Sequence, residues 1–178
     1  MNNQKHTSKR NPDSYSLWLK PENSVENKFQ NKIQSLASEY GGPIFKPHIT
    51  LVSSFLGKEK VLLKITEIVS KKISPFIIYF DNIGYFNKYF CSLFLTVECT
   101  SELSAARRLC STELHLKENK YFPHLSLIYG DYTLDKKQEM ISNLGALPDK
   151  FLAQSIYLAH NDENNLRWEV IKGFSLNN

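Results

Sequence analysis

The chain has 178 residues, 42% of them hydrophobic and 22% charged, with 22 Lys and Arg against 18 Asp and Glu. That length suits one compact unit, or two lobes sharing a core, and the apolar fraction suffices to bury one, which excludes wholesale disorder. The net charge of +4 comes without a strong basic run, so it favours anionic ligands without marking a nucleic-acid binder. Three cysteines, Cys91, Cys99 and Cys110, form no CxxC pair, which argues against a disulfide scaffold or zinc ribbon and for a reducing, cytoplasmic setting. The longest apolar stretches fall far short of a membrane span, and the N-terminus lacks the hydrophobic centre of a secretory signal.

Residues 1–14 (MNNQKHTSKRNPDS) read as a disordered polar tail before a single bilobal domain over 15–178. Tyr15–Lys20 is a β-run closed by Pro21. Asn23 or Ser24 caps an amphipathic helix to Tyr40, with Val25, Phe29, Ile33, Leu36 and Ala37 on one face, and Gly41-Gly42-Pro43 stops it. His48–Phe55 follows as a strand and Lys58–Lys72 as a helix with Val61, Leu62, Ile65, Ile68 and Val69 inward. Phe76–Phe86 and Tyr89–Glu98 form a hairpin about Asn87-Lys88. Thr100–Lys117 is a third helix, capped by Thr100 or Ser101; His124–Tyr129 is a strand and Leu134–Leu144 a helix. Phe151–Ala159 and Leu166–Leu176 are the last two strands, separated by a polar loop around 161–165.

The order βαβαβ followed by βαβαββ points to a duplication. At an offset of 76 residues, Ser16-Leu17-Trp18-Leu19 falls on Ser92-Leu93-Phe94-Leu95. The same offset lays residues 45–52 (FKPHITLV) on residues 121–128 (YFPHLSLI). Two blocks sharing one offset without a gap imply a repeated βαβαβ lobe, with a strand left over after the second copy.

The best-matched block of each half holds Pro-His-x-Thr/Ser. Residues two apart on a strand share a face, so His48 and Thr50 point one way while Ile49 and Leu51 point to the core; His124 and Ser126 repeat the arrangement. If the lobes are related by a pseudo-twofold, both pairs converge on one cleft. Two imidazoles flanking a phosphorus can divide an in-line displacement, one taking the proton of the attacking water and the other protonating the departing oxygen. The Thr50 and Ser126 hydroxyls can bond the non-bridging oxygens. A strained cyclic phosphodiester needs no metal for this, and HxT and HxS lack the second ligand that HxH would supply, so neither metal nor cofactor is expected. His6, His115 and His160 have no such support and read as ordinary tail, helix and strand-end residues.

The paired PHIT (47–50) and PHLS (123–126) resemble the signature of the two-histidine (2H) phosphoesterase superfamily. YSLWL (15–19), EYGGPIFKPHITL (39–51), YFPHLSLIYG (121–130) and RWEVIKGFSLN (167–177) carry a narrower resemblance. It is to plant and yeast cyclic phosphodiesterases acting on 2′,3′-cyclic nucleotides and on ADP-ribose 1″,2″-cyclic phosphate. The resemblance implies an α+β fold in which two antiparallel sheets face a central cleft with helices outside, and a catalytic set of His48, Thr50, His124 and Ser126. It also implies a 2′-phosphate product with His124 as base and His48 as acid, a nucleobase contact from Trp18 and a phosphate contact from Tyr129. By parity Tyr129 faces away from His124, so it reaches the cleft only if the strand bends or ends near Gly130. The expected partner is a small nucleotide or an RNA end, and the expected state a monomer. A 2′,5′-oligonucleotide or cyclic-dinucleotide phosphodiesterase built on the same four residues is one alternative. A non-catalytic RNA- or nucleotide-binding module is another, although a binder has no need of two proton-transfer groups.

Overall fold

Among the described residues, eight strands and four helices follow in the order β1 (Ser14–Leu19), α1 (Asn23–Tyr40), β2 (Ile49–Phe55), α2 (Glu59–Ser70), β3 (Phe76–Gly84), β4 (Leu93–Val97), α3 (Ser101–Glu113), β5 (His124–Ile128), α4 (Leu134–Asn143), β6 (Lys150–Ala153), β7 (Ser155–Asp162) and β8 (Arg167–Ser175). The computed structural model describes residues 14–117, 119–162 and 167–177. The expected polar tail, apart from Ser14, lies outside them. Ser14 itself opens β1 and is buried.

The strands are antiparallel neighbours in the order β6-β3-β4-β5-β2-β1-β7-β8. The two middle strands, β5 and β2, meet at one rung, Ile49 opposite Leu125. That rung divides the sheet into two four-stranded halves, and its partners are themselves 76 positions apart. The registers on either side correspond as well. Leu19–Ile49, Trp18–Thr50 and Leu17–Val52 in one half match Leu95–Leu125, Phe94–Ser126 and Leu93–Ile128 in the other, each with a bulge before the last pair. The halves are not contiguous stretches of chain. β3 crosses to pair with β4, and β7 returns to pair with β1. A short connection makes β3–β4 an antiparallel hairpin, the least costly partnership for consecutive strands.

Odd-numbered residues on the central strands (Leu17, Leu19, Ile49, Leu51, Leu93, Leu95, Leu125, Leu127) join one hydrophobic core with Phe29, Leu62, Leu103 and Met140 of the helices. Each such side chain contributes about 2 kcal/mol. Several local expectations shift. Residues 89–91 form a 3-10 turn rather than strand, so β4 begins only at Leu93. Glu22, not Asn23 or Ser24, precedes α1, without a side-chain cap. The Thr100 side chain does cap α3, accepting from the Leu103 N–H, but that helix ends at Glu113 rather than Lys117. In α2, Val61 and Ile68 are about half exposed, whereas Thr66 and Ser70 are buried. Their hydroxyls donate to the Leu62 and Glu67 carbonyls, which removes the cost of burying them and lets the helix present a stripe that hydrophobicity alone does not select. The predicted strand 151–159 is broken at Gln154, whose carbonyl accepts from the Leu176 N–H.

Candidate active site

The opposite face of the central strands lines a cavity of about 270 Å³. Ser16, Trp18, His48, Thr50, His124 and Ser126 all reach it, the even-numbered partners of the core leucines and isoleucines. With Ile49 opposite Leu125, antiparallel counting sets His48 across from Ser126 and His124 across from Thr50. Each imidazole is thus paired crosswise with the hydroxyl of the other motif. Tyr129 also lines the cavity. The bulge makes Leu127 an extra residue between Ser126 and Ile128 and so inverts the facing of the residues after it, and β5 ends at Ile128.

The two histidines are anchored alike. Nδ1 of His48 lies 2.7 Å from the Lys46 carbonyl, and Nδ1 of His124 lies 2.9 Å from the Phe122 carbonyl. A carbonyl only accepts, so each Nδ1 carries its hydrogen and each neutral ring offers an Nε2 lone pair. Burial pushes the His48 pKa down to about 4, opposed by the Lys46 carbonyl and assisted by the His124 and Lys20 charges. Burial also lowers His124, partly offset by the Phe122 carbonyl. Both rings are therefore neutral at pH 7 in the ligand-free cleft. An anion held between them raises both values and brings a proton back to the pair.

Their supports differ. The indole of Trp18 stacks on His48 with ring centroids 3.7 Å apart and planes 11° apart. Trp18 is only 2% exposed, so that face is covered by imidazole. His124 stacks on Phe122 at 5.3 Å and meets the edge of Phe94 at 5.4 Å. Its Nε2 lies 3.6 Å from Sγ of Cys91, whose thiol acts as the donor to that lone pair. Burial raises the Cys91 pKa against the pull of the Lys88 charge, which keeps the thiol protonated. Ser126 Oγ donates to the Phe90 carbonyl at 3.2 Å, whereas the Thr50 hydroxyl bonds no protein group among the described residues.

One wall is aromatic. Tyr129 stacks on Phe45 at 3.9 Å and meets Phe90 edge-on at 5.4 Å; Trp168 of β8 completes the group, 5.6 Å from Tyr129 and 5.7 Å from Phe90. The chain closes over Tyr129 at the double glycine. A Cβ on Gly42, where φ is +100°, would sit 2.6 Å from the Tyr129 carbonyl oxygen. At the far end Ser16 donates to Asn161 Oδ1 at 2.9 Å, both residues buried.

All six residues singled out in the sequence thus border one cavity. Sequence reasoning missed Ser16, Phe90, Cys91, Asn161 and Trp168, which border it too. Only Ser16 and Trp168 carried a signal, Ser16 by its shared parity with Trp18 and Trp168 by its place in the RWEV motif. Among the described residues no group of three or more His, Cys, Asp or Glu side chains is arranged to hold a metal ion. No helix among them is long and apolar enough to cross a membrane.

Residues 14–176 match the model of a family described as cyclic phosphodiesterase-like protein. A cyclic phosphodiesterase of Arabidopsis thaliana is 26% identical over 175 residues, which cover 93% of this chain and 96% of that protein. Among solved structures, E. coli LigT complexed with 3′-AMP aligns with a TM-score of 0.60 at 13% identity, covering 94% of this chain and 100% of that one. TT0787 of Thermus thermophilus aligns at 0.61 and 14% identity, covering 92% and 97%. At those identities the two structures show a common fold.

Proposed function

The chain belongs to the cyclic phosphodiesterase-like family of two-histidine phosphoesterases and is a phosphodiesterase; on that basis we propose that it hydrolyses a cyclic phosphate on a ribose. The substrate is a 2′,3′-cyclic nucleotide opened to the 2′-phosphate, ADP-ribose 1″,2″-cyclic phosphate opened to the 1″-phosphate, or both. The observation that carries this reading is the pair of imidazoles on one cavity, each with Nδ1 tied to the carbonyl two residues before it, so that Nε2 is the proton-transfer atom of both, with only the weak Cys91 thiol on that of His124. The substrate's negative charge raises the pKa of both rings, so that one is neutral and one protonated when it is bound. The neutral Nε2 removes a proton from water as the water oxygen bonds to phosphorus. The protonated one delivers its hydrogen to the ribose oxygen as the ring P–O bond breaks. Thr50 and Ser126 bond the non-bridging oxygens, Ser126 exchanging the Phe90 carbonyl for the phosphate.

The tryptophans divide their work. Trp18 backs the His48 ring, and half-buried Trp168, with Phe90 and Tyr129, is the surface on which a base stacks. That LigT, which shares the fold, forms a complex with 3′-AMP supports a nucleotide as the ligand. Assay of 2′,3′-cyclic AMP, ADP-ribose 1″,2″-cyclic phosphate, 2′,5′-oligoadenylate and a cyclic dinucleotide with EDTA present tests the reading. Turnover of the first two is expected. Turnover confined to the last two would reassign the substrate, and binding of 2′-AMP without turnover of any would leave only a binding module.

A further inference from the structure

Beyond their single rung, β2 and the segment leading into β5 draw apart. The gap is a second cavity of about 360 Å³. Thr50, Ser53 and His124 border both this space and the central cleft, so the two adjoin beside the proposed reacting phosphate. The aromatic wall of Phe90, Tyr129 and Trp168 borders only the first. A base on that wall therefore leaves the second space for a different part of the substrate.

The second space is basic. Arg107, Lys117 and Lys120 line it, and no carboxylate does so among the described residues. Neither lysine pairs with an acidic side chain among those residues. Arg107 is fixed in place. Its Nη2 donates to the backbone carbonyl and side-chain oxygen of Asn119, and its guanidinium lies 4.5 Å from the Tyr121 ring centroid. Tyr121 in turn donates to the Thr50 carbonyl at 3.2 Å. The buried Nε of Arg107 meets no acceptor, an unspent donor on a group that carries full charge.

We propose that this groove is a second anion subsite. It takes the phosphodiester or pyrophosphate that joins the cyclic-phosphate ribose to a further nucleoside, so the preferred substrate is larger than a mononucleotide. The inference deepens the proposed function and rests on it.

The test compares wild-type enzyme with the Lys117→Ala/Lys120→Ala double variant, whose side chains are exposed. The probes are 2′,3′-cyclic AMP, the dinucleotide ApA ending in a 2′,3′-cyclic phosphate, and ADP-ribose 1″,2″-cyclic phosphate. Loss of two nearby cations should lower kcat/KM for a linked probe about tenfold at low salt. The cyclic mononucleotide should change by less than about twofold, and about 0.5 M salt should erase the wild type's advantage on linked probes. A loss confined to ApA would identify a nucleic-acid end as the source of the second anion, and a loss confined to the ADP-ribose probe a pyrophosphate; either supports the subsite. Equal effects on all three probes, or none on any, would overturn it while leaving the proposed function standing. A wild-type enzyme that opened no cyclic phosphate would remove the proposed function, and the subsite with it.

Discussion

Replacing each cleft tryptophan in turn separates binding a base from holding a histidine. Trp168 is half-buried, braced at 5.6 Å by Tyr129 and 5.7 Å by Phe90. A base stacked on such a platform gains about 1–3 kcal/mol. Trp168→Ala should therefore raise KM for 2′,3′-cyclic AMP about five- to hundredfold with kcat nearly kept. Trp18→Leu instead removes a ring 3.7 Å from His48. Such a stack is worth about 0.5–1.5 kcal/mol, so a two- to tenfold fall is expected, and it should appear in kcat because the loosened imidazole is misaligned. Steady-state kinetics on 2′,3′-cyclic AMP and on glycerol 1,2-cyclic phosphate, which has no base, decide the matter. Trp168→Ala should leave the base-free probe untouched, whereas Trp18→Leu should slow both. If Trp18→Leu raised KM for the nucleotide alone and Trp168→Ala did nothing, Trp18 would be the base platform and the proposed division of labour would be wrong.

The remaining predictions concern protons and packing. With His48 at about 4 and His124 below its usual 6.5, kcat/KM should peak on the acidic side and fall toward neutrality, while kcat, which reports the anion-bound enzyme, peaks at higher pH. An alkaline optimum for kcat/KM would contradict the burial of the pair. The same shift acts on stability. Between 6.5 and about 4 the unfolded chain takes up a proton at His48 that the folded chain refuses, so stability falls as pH falls through that window, by about 3 kcal/mol in all. Urea denaturation near pH 7 and near pH 4 should find His48→Gln less acid-sensitive by that amount, and an identical acid sensitivity would refute it. Lys137, 2% exposed, donates to the Phe86 carbonyl at 2.9 Å and to Asn87 Oδ1 at 3.0 Å, tying the turn before Phe90 and Cys91 to α4. Lys137→Met should cost about 2 kcal/mol and speed proteolysis within 85–91; an unchanged Tm and cleavage rate would show that the latch carries no stability.

The parts of the cleft that were legible in the sequence are those fixed by strand parity. His48 with Thr50, and His124 with Ser126, sit two apart on strands, so their common face needed only a period of two and the repeated motif. Tyr129 was harder, because its side is set by an extra residue at Leu127 that pairs with nothing. Phe90, Cys91 and Asn161 were not legible. They enter through the crossing of β3 into the second half-sheet and the return of β7 beside β1, long-range choices that no local pattern records. The inward edge of α2 failed for the opposite reason. Thr66 and Ser70 satisfy their hydroxyls on carbonyls of their own helix, so a purely apolar stripe finds the buried Leu62 and Val69 but takes the half-exposed Val61 and Ile68 in place of the two hydroxyl residues.

The claim on which everything else depends is that two imidazoles share one proton-transfer reaction. Turnover of 2′,3′-cyclic AMP by His48→Ala and His124→Ala, each checked for native secondary structure and cooperative unfolding, tests it most directly. Each single variant should lose at least about 10²-fold in kcat, the low end for removal of a general acid or base. Near-wild-type turnover by either well-folded variant would contradict it.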